Sequence, residues 1–130
     1  MKITSIDGGS YILFNKFKKE TESSIVPLFL TSQIDVKIAN LFTSETISFE
    51  KTDLHHIIDG ITNILSNRVS KFSYTDLDEQ ISLNFEIEND KEIFIKGVIR
   101  DIEYVYNLSF ELYTNYEILK SFLNDFSINE

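Results

Sequence analysis

Few side chains in this 130-residue chain sit at spacings that could do chemistry. Asp101 and Glu103 are two apart in a run read as strand, so both carboxylates fall on one side of it. There they could act as acid and base, or hold a divalent cation. With 21 Asp and Glu in the chain such a pair also arises by chance, and a solvated strand face is the plainer reading. His55 and His56 are adjacent on a predicted helix and point about 100° apart, whereas two ligands of one metal on a helix sit three or four apart. The acidic group Asp76, Asp78 and Glu79 lacks the glycine and the distal glutamate of a calcium loop. Asp7-Gly8-Gly9-Ser10 has neither the Lys-Ser/Thr ending nor the following helix of a phosphate loop, and no serine stands in a nucleophile-elbow pattern. No catalytic constellation, metal site or cofactor is therefore expected.

Positioning these residues falls to alternating strands and two amphipathic helices. The organising stretch runs from Ile81 to Phe126. In it Ile81, Leu83, Phe85 and Ile87 alternate with polar residues, Asn89-Asp90 breaks the run, and the segment from Lys91 to Tyr113 is too rich in β-branched and aromatic residues to be helix. Earlier, two short β-like runs flank Asp7–Ser10 as a hairpin whose glycines take positive φ. An irregular surface connection is expected over Lys18 to Ser24, just before Pro27. A second hairpin joins the Ile34–Ile38 run to TISFE through Thr43-Ser44-Glu45. A helix follows, capped by Thr52 or Asp53 and ended at Asn67, with Leu54, Ile57, Ile58, Ile61, Ile64 and Leu65 as its apolar face. Gly60 inside it reads as tolerated, at about 1 kcal/mol relative to Ala. Thr114-Asn115-Tyr116-Glu117 reads as a capping box opening a last helix with Tyr116, Leu119, Leu123 and Phe126 on its buried stripe.

The expected fold is α+β: antiparallel strands in meanders or hairpins, both helices on one face, in the order β-β-β-β-α-β-β-β-β-α. One sheet is the economical arrangement, and a split sheet is the alternative. Residues 1–130 read as a single domain, long enough to bury a core without disulfides or metals. The absence of Cys fits a reducing compartment. Met1 to Asp7 lacks a basic region followed by an apolar run and no window reaches the length of a membrane span, so a cytoplasmic location and no membrane partner are expected. The net charge of -9 argues against nucleic acid, whose phosphates would repel the chain, and suits a basic partner.

What remains is surface. Tyr74, Tyr104, Tyr106 and Tyr113, with acids close by, could set aromatic anchors inside an acidic rim; the plainer reading packs them over the sheet with hydroxyls at its edge. The partner-binding residues expected from this chemistry are Tyr74, Asp76, Asp78, Glu79, Asp101, Glu103 and Tyr104.

The strings IDVKIANLF, EKTDLHHIIDGITNIL, ISLNFEI with IFIKGVIRD, and LSFELYTNYEILKSFLNDF resemble the WapI family of bacterial immunity proteins, over most of the chain from about Ile34 onward. The resemblance implies a non-enzymatic cytoplasmic antitoxin, monomer or homodimer, that binds and neutralises the C-terminal domain of a cognate polymorphic toxin. Such toxins are often nucleases, and an acidic inhibitor would be steered to their basic surface. Two other readings stand beside it. One is a small-ligand or metal-binding domain using Asp101 and Glu103. The other is a self-associating structural domain whose strands pair edge to edge.

Overall fold

Hydrophobic alternation organises the chain into nine strands and two helices among the residues that the computed structural model describes, 1–19 and 29–129. In order these are β1 (Lys2–Thr4), β2 (Ser10–Phe14), β3 (Lys18–Lys19), β4 (Phe29–Ile38), β5 (Leu41–Glu50), α1 (Lys51–Leu65), β6 (Lys71–Thr75), β7 (Ile81–Ile87), β8 (Glu92–Arg100), β9 (Asn107–Asn115) and α2 (Tyr116–Asn129). The class is the expected α+β one, with every strand pair antiparallel and the helices closing each half. The strands are divided between two sheets. In the first, β4 is central: β5 pairs along one side of it, β2 and the short β3 take the other, and β1 completes the edge beyond β2. The second is the meander β6-β7-β8-β9. Beyond Lys18 and Lys19, the connection expected up to Ser24, and Pro27 after it, lie outside the described residues.

The turns are set by side chains that accept backbone N–H groups. Asp7 Oδ1 accepts from the Ser5 hydroxyl at 2.6 Å and from Gly9 N at 2.9 Å, holding its carboxyl below the usual range, while Gly8 takes φ 78°. Asn89 Oδ1 accepts from Lys91 N and Glu92 N, both at 3.2 Å, and so closes the break expected there. The second hairpin differs from the sequence reading. Its turn is Ala39-Asn40, and Thr43-Ser44-Glu45 lies inside β5, because the ladder runs unbroken from Phe29↔Glu50 to Ile38↔Leu41. Ala39 carries the left-handed φ of 53° that glycine or asparagine usually supplies, and the asparagine of the turn, Asn40, stands one place later.

Both helix starts are also corrected. Glu50, not Thr52 or Asp53, caps α1: its backbone N–H donates to Asp53 Oδ2 at 3.0 Å, and its own carboxylate answers the Asp53 backbone. Asn67, at φ 58°, follows the last turn as expected. Asn115 caps α2, its Oδ1 accepting from Ile118 N at 2.9 Å. Thr114 still belongs to β9 and points inward, where its hydroxyl donates to the Thr4 carbonyl at 3.0 Å.

α1 packs on β5, β6 and β7, α2 on β1 and β9, and the helices on each other. The stripe Leu54, Ile57, Ile61 and Ile64 is buried as read. α2 contributes Leu119 and Phe126, together with Phe122, which the sequence reading omitted. Phe122 and Phe126 sit 5.5 and 5.7 Å from the Phe14 ring of β2, tying the last helix to the first hairpin. Each such fully buried Phe is worth ~1.5–3 kcal/mol. Gly60 is more than tolerated. A Cβ there would lie 2.2 Å from the Phe72 ring, so its absence lets α1 approach β6. Gly97 similarly receives the ring of Phe110, 2.4 Å from where its Cβ would be.

Candidate interaction surface

Three hairpin ends, one from the first sheet and two from the second, meet at one end of the molecule. The β4–β5 turn brings Leu41 and Phe42, the β6–β7 turn brings Leu77, and the β8–β9 connection brings Ile102, Tyr104, Val105 and Tyr106. All seven are exposed, Leu77 to 83% and Val105 to 78%. Large apolar side chains left in water in one place mark a contact surface more often than single scattered ones do.

This end is tied together by hydrogen bonds. The Tyr106 hydroxyl bonds the Glu45 carboxylate and lies 3.0 Å from Thr43 Oγ1, joining the second sheet to β5. That bond to Glu45 raises the Tyr106 phenol above its ordinary range. The Tyr104 hydroxyl donates to the Asp78 carbonyl, and its ring lies 5.5 Å from the Arg100 guanidinium carbon. Arg100 N donates to the Gln80 carbonyl at 2.8 Å, and Tyr106 N to Asp101 Oδ1 at 3.0 Å. The apolar side chains therefore stand on a braced platform.

Of the residues expected to bind a partner, Asp78, Glu79, Asp101, Glu103 and Tyr104 are brought to this end. Tyr74 and Asp76 are not on any surface: they are 4% and 3% exposed. Tyr74 stacks on Phe49 at 6.2 Å, and burial, with the carboxylates of Asp53 and Asp76 adding to it, pushes its phenol far up. Asp76 shapes the β6–β7 turn by accepting Ile81 N at 2.8 Å; burial, offset by that bond, raises its carboxyl. Asp101 and Glu103 do not share a strand face. They belong to a turn in which Asp101 O accepts Tyr104 N at 3.1 Å and Tyr104 takes φ 57°, so the arrangement proposed for acid–base or cation chemistry does not form. Tyr113 is also elsewhere, against Phe94 at 4.9 Å on the outer face of the second sheet. His55 and His56 are exposed on α1, His56 beside the Phe72 ring. Among the described residues no three His, Cys, Asp or Glu side chains are grouped to hold a metal, and no helix is long and apolar enough to cross a membrane.

The sequence reading saw only the TISFE part of the strand that runs out of this end, and not that its outer edge is open. Asn15 N donates to Gln33 O at 3.0 Å, so the odd residues of β4 turn their backbone groups toward β2. Opposite residues in antiparallel strands alternate between bonded and unbonded pairs. Phe42, Ser44, Thr46 and Ser48, which face those odd residues, therefore turn N–H and C=O away from β4. Among the described residues none of these groups has a backbone partner. The ten-residue edge carries no Pro, no Lys and no bulge, three of the devices that protect an edge, and the absence of Pro and Lys was a signal available in the sequence.

No known protein family matches the chain, and no curated protein matches it. Solved structures do. WHY3 from Arabidopsis thaliana aligns at 12% identity and TM-score 0.48, covering 98% of this chain and 85% of that one. WHY1 from the same plant aligns at 12% identity and TM-score 0.45, covering 93% and 77%. The plant transcriptional regulator PBF-2 aligns at 12% identity and TM-score 0.36, covering 89% and 72%. Membership of the WapI immunity family is corrected by these findings, and with it go toxin neutralisation and the cognate toxin as partner. The exclusion of nucleic acid is corrected as well. Its premise was the net charge, and -9 is a sum that hides an uneven distribution: the first fifty residues carry five Lys against six Asp and Glu, the remaining eighty only seven Lys and Arg against fifteen. At these identities the likeness is one of chain arrangement and assigns no activity.

Proposed function

We propose that this chain is a non-catalytic, self-associating structural domain that meets copies of itself at its apolar end. One observation carries the reading: seven exposed apolar or aromatic side chains from three hairpin ends, held by the Tyr104 and Tyr106 hydrogen bonds and no part of the core. Bracing matters energetically, since a preformed surface spends little side-chain entropy on contact.

The test is the solution mass over a range of concentrations, by sedimentation or light scattering. A mass above the 15.1 kDa of one chain is expected, falling toward it in Val105→Glu and Leu77→Glu, both exposed enough to leave stability unchanged. A wild-type protein that stays at the single-chain mass at every concentration sinks the proposal.

A further inference from the structure

We infer that the copies join through β5, each adding its edge strand antiparallel to the other's, so that two first sheets become one continuous sheet about a two-fold axis at Ser44. This rests on the self-association proposed above and specifies its contact. The outward groups of Phe42, Ser44 and Thr46 form an alternating row of donors and acceptors, and an identical antiparallel row satisfies it. A two-fold arrangement uses the same strand from both copies, so the contact closes on itself.

Charge favours a second copy at this edge over the rest of the surface. The excess acid lies in residues 51–130, while residues 1–50 are near balance. On the seam itself the outward residues Phe42, Ser44, Thr46 and Ser48 are uncharged. Register follows from the same reasoning. An axis at Glu45 would set that carboxylate directly opposite its copy, which is destabilising. An axis at Ser44 sets Glu45 opposite Thr43 and Phe42 opposite Thr46. Moving the axis to Thr46 carries the apolar end away from the seam, and moving it toward the turn shortens the ladder. At Ser44 the seam is bordered by Thr43 and Glu45, the two residues that the Tyr106 hydroxyl contacts, so the apolar connection of each copy lies next to it.

The chain has no cysteine, which makes single-cysteine variants clean probes. In the proposed register the two copies of residue 44 face each other at roughly 5.5 Å between Cα atoms, within disulfide reach. The two copies of residue 46 are roughly 14 Å apart, beyond it. Ser44→Cys should therefore oxidise to a disulfide-linked dimer at least about tenfold faster than Thr46→Cys or Ser48→Cys. In the unmodified protein, hydrogen exchange should slow on association at the Phe42, Ser44 and Thr46 amides, leaving the already bonded Thr43, Glu45 and Ile47 unchanged. Equal cross-linking at all three positions, or exchange without that alternation, overturns edge pairing while a raised solution mass keeps the self-association reading. Fastest cross-linking at Thr46→Cys overturns the register. A single-chain mass at every concentration overturns both readings.

Discussion

The two sheets end in strands of similar length whose outward edges are guarded differently. On β9 the bond from Ile6 N to Tyr113 O, at 2.9 Å, shows that Tyr113, and by alternation Glu111 and Ser109, face away from β8. There the chain covers the Tyr113 end of its own edge with the β1–β2 turn, Thr114 bonding back to Thr4 at 3.0 Å, while further along the edge Glu111 places an exposed charge. On β5 nothing described covers the outward residues Phe42, Ser44, Thr46 and Ser48, and none of the four is charged. One edge is thus covered at one end and charged along its outward row, and the other is left uncovered and uncharged along that row. The difference teaches that β5 is open by composition as well as by position, since guarding an edge takes only a lysine, a proline or a covering turn.

The contrast can be broken from the β9 side with the largest effect. β9 sits on β8 because Gly97 admits the Phe110 ring, so Gly97→Ala should cost about 1–3 kcal/mol in a urea melt. Phe110→Leu in the same chain should recover part of that loss. Thr114→Val removes the hydroxyl that satisfies the Thr4 carbonyl and should cost about 1–2 kcal/mol, with faster exchange at the Ile6 amide showing that the edge cover has loosened. If Ile6 exchange is unchanged, the covering turn is held by something other than Thr114.

Asp76 gives a pH-dependent form of the test at the turn beneath the apolar end. Its folded carboxyl is raised above the ordinary 3.8, chiefly by burial, so the folded state holds its proton more tightly than the unfolded chain. The stability it contributes is complete below 3.8 and is lost as pH rises through its raised folded value. Asp76→Asn keeps an acceptor for Ile81 N and should remove this decline, flattening the stability curve on the acid side. An unchanged curve would assign the decline to another group.

The smallest effect on stability is expected at β5 itself. Thr46→Lys places a charge on the open edge without touching the β4 ladder, and should alter the melting free energy by less than about 0.5 kcal/mol while lowering the solution mass. A large loss of stability would mean that β5 is less open than its backbone bonding indicates. Added salt should modestly raise the associated fraction, because it screens Asp78, Glu79, Asp101 and Glu103 beside the apolar end.

Periodicity alone determined much of this protein. The stripe from Leu54 to Ile64, the alternation through Ile81–Ile87, the Asn89-Asp90 break and the order of strands and helices are properties of local sequence, because a side chain's face is fixed by the period of its own element. Tertiary structure decided the rest. It placed the β4–β5 turn at Ala39-Asn40 because a full ladder outweighed the left-handed φ that Ala39 must take, and it made Gly60 a contact with a ring twelve residues later. Asp101 and Glu103 were drawn out of a strand into a turn, and Asp76 was buried while Asp78 stayed in water. The open edge depends on which side of β4 each neighbour took. Pairing joins residues far apart in the chain, and no local period encodes which backbone groups are left over once it is complete.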